Sequence, residues 1–292
     1  MPTIYTHINA NKRRSWILIL LSLVILIAIG YFLDQYYSEG GSFFMVIAAL
    51  YATISALIGY YTGDKIALRM SGAMPITKES NPYVVRMVEN LAITAGLPMP
   101  KVYIIPDPDI NAFATGRDPA HASIAVTEGA VQKLENEELE AVIAHELSHI
   151  GNYDVRYMTL IIVIVGTIVI LSDLFWRFGR IRGGKNNPLL AIGLALLILG
   201  AIFAPLIKFA VSRRREYLAD ASGALLTRYP EGLAKALEKI RDHGSIIERA
   251  NKSTAHLYIA NPLSKGVFSL FSTHPPIDDR IARLRQMGGI AH

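Results

Sequence analysis

His145 and His149 stand four residues apart in the stretch AVIAHELSHIGNYD, residues 141–154, with Glu146 directly after the first histidine. On an α-helix, residues i and i+4 lie on one face, one turn apart. Two imidazoles so placed can bind one zinc ion, and the neighbouring carboxylate can take a proton from a water that the metal activates. Zinc brings the pKa of such a water down to about 7. A nucleophile and a general base then share one helical turn, which suits amide hydrolysis. A buried histidine pair without a metal is the alternative. Against it stand the apolar flanks of the segment, a total of only eight histidines, and the cost of burying Glu146 uncompensated.

Catalytic zinc takes three protein ligands and keeps a fourth position open. The chain has no cysteine, so disulfides are excluded and the third ligand has to be His, Asp or Glu. Glu216, in RRREYLAD, is the best candidate. Asp220 follows four residues later on the same helix face, where its carboxylate could accept a hydrogen bond from a ligand histidine and fix its tautomer. An ordinary solvated helix, with Glu216 and Asp220 paired to Arg213, Arg214 and Arg215, accounts for that spacing equally well.

The elements that must position these residues are partly membrane segments. The chain has 292 residues, 52% of them hydrophobic and only 18% charged, and its mean hydropathy is +0.33. Soluble domains carry about 25% charge. The net charge of +5 comes from basic residues beside apolar runs, a pattern of membrane orientation before one of nucleic-acid binding. Four apolar runs, 16–33, 43–61, 158–176 and 189–209, approach the roughly 20 residues a helix needs to span a bilayer. Lys12, Arg13 and Arg14 precede the first run, which reads as a retained anchor and not a cleaved signal peptide. The first two runs form a hairpin whose basic flank lies in the cytoplasm, and two crossings return the chain there. The second pair is joined by the basic loop RFGRIRGGKNNP, which opposes the same rule if it lies outside. Whether that pair crosses or is partly buried in protein, the segments on either side of it share one compartment. Glu216 is therefore on the same side of the membrane as His149.

The division expected is an N-terminal hairpin (1–61), a catalytic segment carrying HELSH (62–157), a second membrane or membrane-associated hairpin (158–209), and a C-terminal helical part (210–292). Within the soluble parts, NPYVVRMVENLAITAGL has apolar residues at helical spacing and ends at a breaker. KVYIIPD, NAFATG and HASIAVT read as strands. Residues 128–152 read as one helix, and RRREYLADASGALLTR and GLAKALEKIRDHGS as two more. The fold class is a mostly α membrane protein with four transmembrane helices and a cytoplasmic α+β zincin-like domain.

HELSH, EYLAD, NAFATG and STHPP, in that order and interleaved with four apolar runs, make the chain resemble an HtpX-type membrane zinc metalloprotease, a gluzincin group related to the CAAX prenyl proteases. The resemblance covers nearly the whole chain. It implies one zinc ion held by His145, His149 and Glu216, with Glu146 catalytic and Asp220 behind a ligand. It also implies an integral protein of the inner cell membrane that degrades misfolded or unassembled membrane proteins, in quality control and stress response, with its active site facing the cytoplasm.

Other residues join the site by mechanism. Asn111 and Ala112 in NAFATG fit an edge strand that pairs with extended substrate, or a plain sheet strand. His274 in STHPP fits a donor to the oxyanion of the tetrahedral intermediate, or a turn histidine before two prolines, and the resemblance favours the first. Arg280 could orient Asp220 or assist the oxyanion. Two further classes fit the sequence: a narrow-specificity CAAX-type processing peptidase, and a non-catalytic membrane protein with structural zinc, which would show four protein ligands. Nucleic acid is not expected as a partner.

Overall fold

A computed structural model of the protein describes residues 4–37, 41–181, 189–190, 192–196, 198, 213–243, 258–259 and 275–289. The chain opens with two long helices, α1 (Ile4–Tyr37) and α2 (Phe43–Met70), followed by β1 (Met74–Pro75), α3 (Pro82–Thr94), β2 (Lys101–Ile105), β3 (Ala112–Gly116) and β4 (Ala122–Thr127). Then come α4 (Glu128–Lys133), α5 (Asn136–Gly151), α6 (Asp154–Ile181), α7 (Arg213–Thr227), α8 (Pro230–His243) and α9 (Ile277–Gly289).

Three of the described helices are long and apolar enough to cross a membrane: Ile8–Tyr37, Phe43–Met70 and Asp154–Phe178. They correspond to the first three expected runs. The fourth, 189–209, falls mostly outside the described residues, so the expected count of four is not reached among them. The described part of that run turns back on α6, with Leu196 packed against Ile168. The α1–α2 hairpin is closed at its tip by Asp34, whose two carboxylate oxygens each accept a bond of 2.8 Å, from the N–H groups of Phe44 and Met45. Those donors belong to the otherwise unpaired first turn of α2, which favours an anionic partner. Further along, α2 meets α6 through Gly59 and Gly63, whose missing side chains make room for Val163 and Thr159. Small residues one turn apart let membrane helices approach closely.

The soluble part is a four-stranded sheet in the order β1-β2-β4-β3. β2 and β4 run parallel, while β1 and β3 are antiparallel to their neighbours. Its core joins the sheet to α3, α5 and α8 through Val88, Ile124, Val126, Leu139, Ile143 and Leu237. α3 starts where expected, because the Asn81 side chain accepts from the Val84 N–H and Pro82 takes the first turn, where a missing N–H costs nothing.

The single helix expected over 128–152 is two. It breaks at Leu134, which is extended and buried, and restarts at Asn136. The Glu135 N–H donates to the Glu138 carboxylate at 2.8 Å. Acidic residues at 135, 137, 138 and 140 favour a helix N-terminus at this point over a helix interior. β1 and α9 were not anticipated. β1 is only two residues long, and α9 comes directly after the Pro275–Pro276 pair.

Candidate metal centre

The HELSH segment lies in the last two turns of α5. Packing, and not local preference, buries it. α5 is roofed by the sheet on one side and by α7 on the other, so His145, Glu146 and His149 are all buried. α7 comes so close because of Gly223. A Cβ there would stand 3.0 Å from the His145 backbone nitrogen and 3.2 Å from its Cα. Glu216, two turns before Gly223 on the same face of α7, is thereby brought to the histidines.

The three expected ligands converge. His145 Nε2 and His149 Nε2 are 3.2 Å apart. Glu216 Oε2 lies 3.9 Å from the first and its Oε1 3.6 Å from the second. One ligand atom from each lies within 4.8 Å of the other two. A tetrahedral ion with bonds of about 2.0–2.1 Å separates its ligand atoms by about 3.3 Å, so the trio already has the dimensions of a metal cage.

Each histidine has a carboxylate behind it. Asp220 Oδ1 lies 2.9 Å from His145 Nδ1. Asp154 Oδ2 lies 3.1 Å from His149 Nδ1. A proton on one Nε2 makes the 3.2 Å contact between the two Nε2 atoms a hydrogen bond; with both protons on Nδ1, both Nε2 lone pairs would be free to bind one cation between them. Among the described residues, four buried carboxylates (Glu146, Asp154, Glu216 and Asp220) surround the histidines, and two buried guanidinium groups (Arg215 and Arg280) face them, an acidic surround that favours a cation at the trio.

Arg280 is fully buried. It grips Asp220 through two bonds, Nε to Oδ2 at 2.9 Å and Nη2 to Oδ1 at 2.6 Å. Burial alone would raise the Asp220 carboxyl, but Arg280 and the neighbouring His145 hold it down at about 2. Glu146 moves the other way. Burial pushes its carboxyl above the ordinary range, against the opposing influence of His145 and His149, which is the direction a group needs if it is to accept a proton and then release it. Burial works against charge on His149, yet the Asp154 hydrogen bond and Glu216 together lift it to about 9.

Above this helix runs β3, at the edge of the sheet. Asn111 turns toward β4: its N–H donates to Thr127 Oγ1 at 2.9 Å and its C=O accepts from the Thr127 N–H at 3.0 Å. By alternation, Ala112 and Ala114 turn their peptide groups outward. The Ala114 backbone N–H faces Glu146 and works against the rise of its carboxyl, and the Ala112 C=O accepts from the Ile259 N–H at 3.0 Å. Asn111 itself is buried, its side-chain oxygen accepting from the Ala112 N–H. His274 lies outside the described residues.

Sequence reasoning missed Asp154, Arg215, Asn11 and Ala114. Asp154 closes the stretch AVIAHELSHIGNYD, five residues after His149, so a signal existed. The solvated pairing of Glu216 and Asp220 with the arginines before them is not what forms: both carboxylates are buried, and Arg215 donates instead to Asp154 at 3.2 Å.

A small sheet with an antiparallel edge strand lies over a helix that carries two histidines and a glutamate, and a second helix brings the third ligand. That combination defines a zincin-like metallopeptidase, here built onto membrane-spanning helices. Residues 78–288 match peptidase family M48, and the chain belongs to that family. It is similar to the protease HtpX homolog of Dictyoglomus thermophilum, 49% identical over 98% of this chain and 95% of the relative. Similar too is that of Tropheryma whipplei, at 44% over 97% and 98%, and that of Streptococcus pneumoniae, at 38% over 97% and 100%. Among solved structures, the crystal structure of S. mikatae Ste24p shares the fold with a TM-score of 0.51 and 19% identity, over 92% of this chain and 66% of that one. The protein is a membrane metalloprotease.

Proposed function

We propose that this chain is a zinc-dependent endopeptidase that works at the cytoplasmic face of the inner cell membrane and cuts misfolded or unassembled membrane proteins. The observation that carries the reading is the buried trio His145, His149 and Glu216, with one ligand atom from each within 4.8 Å of the others, beside the buried Glu146. Three candidate ligands converge, as many as a catalytic zinc site takes from the protein.

When bound, zinc lowers the pKa of a water to about 7 and polarises a carbonyl. The side chains then have separate tasks. Asp220 and Asp154 hold the Nδ1 protons of His145 and His149, so that both Nε2 atoms face one point. Arg280 fixes Asp220. Glu146 receives the proton of the attacking water and passes it to the departing amine. An extended substrate adds a strand at the edge of β3 by displacing the Ile259 N–H from the Ala112 C=O and pairing on toward Ala114, with Asn111 anchoring β3 to β4. His274 is placed by this reading as a donor to the developing oxyanion.

Proximity to the bilayer supports the substrate class. α6, a candidate span, starts five residues after His149, and Thr115 of β3 bonds Thr159 of α6 at 2.9 Å. A polypeptide leaving the membrane reaches the edge strand without a long detour. The test compares the detergent-solubilised protein with Glu146→Gln. Both should bind about one zinc per chain, while cleavage of an unfolded membrane protein should fall by roughly 10²–10⁴-fold in the variant. Undiminished cleavage in Glu146→Gln would end the mechanism.

A further inference from the structure

We propose that Asn11, on the first membrane helix, is a positioning residue for the metal centre, acting on His149 through Asp154. Asn11 sits on α1 three residues into the segment that can span the membrane, which begins at Ile8. It is buried, a costly place for an amide unless each of its groups is bonded. Its Nδ2 donates to Asp154 Oδ1 at 2.8 Å and to the Asn152 carbonyl at 3.0 Å. Its Oδ1 receives Arg215 Nη1 at 3.4 Å, and the same Nη1 reaches Asp154 Oδ1 at 3.2 Å. One Asp154 oxygen is thus held by α1 and α7 together, which leaves the other aimed at His149 Nδ1, 3.1 Å away.

The turn that presents Asp154 needs such a hold. Tyr153, between α5 and α6, has φ +59°, a left-handed conformation that strains a bulky residue. It is kept there in the company of the next residue of α1: Lys12 Nζ lies 4.3 Å from the centre of the Tyr153 ring. α1 therefore grips the α5–α6 turn at two consecutive positions, once on its polar group and once on its aromatic ring. Without the Asn11 amide, the Asp154 carboxylate would keep only Arg215 on that side. It would be free to swing toward it, and the His149 ring would lose its fixed tautomer and tilt. The first helix is then part of the metal centre as well as an anchor.

The proposal rests on the metal reading above. Its test uses the full chain in detergent. Asn11→Leu removes both polar functions at similar volume, and Asn11→Ser keeps one donor. Metal affinity is measured by chelator competition, and the geometry of the site by the visible spectrum after cobalt substitution. Asn11→Leu should bind metal about tenfold more weakly, the scale of a lost outer hydrogen bond, with altered cobalt bands, and Asn11→Ser should fall between it and the parent. On an Asp154→Asn background the same Asn11 substitutions should change affinity far less, because their route to His149 is already cut. Parental affinity and spectrum in Asn11→Leu would overturn the proposal, as would full additivity with Asp154→Asn. If Asn11→Leu does not fold, Asn11→Ser decides by the same two criteria. A parent that binds no metal would overturn the metal reading and this proposal together. A parent with one equivalent and unaffected Asn11 variants overturns this proposal alone.

Discussion

At the scale of single residues, the proposed site separates candidate ligands from the groups behind them, and substitution should separate them too. Glu216→Gln swaps a carboxylate for a neutral amide, a poorer ligand for a divalent ion, and removes one buried negative charge. Zinc affinity measured against a chelator should fall well below that of the parent. Asp220→Asn should cost less, about 10–100-fold, since it acts through His145. Equal affinity in Glu216→Gln and the parent would remove Glu216 from the cage. Arg280→Met should behave differently again. It leaves Asp220 buried without its bidentate partner, and breaking a buried pair on one side costs about 3–5 kcal/mol. The melting temperature should drop even in metal-saturated protein, and an unchanged melting temperature would mean that Asp220 finds another partner. The pattern HELSH was legible as a candidate site because its chemistry is local, with two histidines and a carboxylate within about one turn. Asp154 was visible in the same stretch, but its role depends on a left-handed Tyr153 that turns the chain back on itself. Asn11 and Arg215 were not legible at all. Their partners lie 143 and 61 positions away in the chain, and nothing in the polar stretch before the first apolar run marks one asparagine as a partner of Asp154.

At the scale of elements, the centre depends on how close α7 comes to α5. Gly223 sets that distance, and what it faces is backbone, which cannot rotate aside as a side chain can. In an exposed helix interior, exchanging Gly for Ala stabilises by up to about 1 kcal/mol. At Gly223 the sign should reverse, with a loss on the overpacking scale of about 1–3 kcal/mol. Weaker metal binding should accompany it as Glu216 withdraws from the histidines. Gly166 of α6 is the control, since a Cβ there meets nothing within 4 Å and metal binding should not change. Chelator competition on both variants tests this, and tight metal binding in Gly223→Ala would show that α5 and α7 can part without loss. Element identities read well where a period of 3.6 ran unbroken, as in α3, and where β-branched and aromatic residues clustered, as in β2. They failed at Leu134, where the apolar spacing runs on but a cluster of glutamates starts a new helix. They failed also at β1, two residues long, and at α9, whose amphipathic face becomes meaningful only when Arg280 is seen beneath α7.

At the scale of the whole molecule, the question is which side of the membrane the site faces. The catalytic end of the spans is rich in paired cations and rings. Trp16 stacks on Tyr60 with centroids 6.4 Å apart, Arg156 lies over Tyr60 and Tyr153, and Arg117 lies over Tyr61. Together with Lys12, Arg13 and Arg14 they form the basic, aromatic collar expected at a cytoplasmic interface. Asp34 marks the opposite end. A counter-signal comes from Arg177 and Arg180 at the far end of α6, with Arg182 and Lys185 next in the sequence, which the same rule would also draw to the cytoplasm. The metal centre constrains the answer. α7 packs on α5, so a chain that leaves through α6 has to return before Arg213, and an odd number of crossings between His149 and Glu216 is excluded. The orientation of the α1–α2 hairpin then fixes the side on which the site lies. The chain has no cysteine, so single cysteines report cleanly. Ser42→Cys lies at the tip of the hairpin, exposed and without a side-chain capping bond, and Glu79→Cys lies on an exposed loop of the catalytic domain. In intact cells or spheroplasts, an impermeant thiol reagent should label Ser42→Cys at once and Glu79→Cys only after lysis. Labelling of Glu79→Cys without lysis would turn the molecule over and place proteolysis outside the cytoplasm.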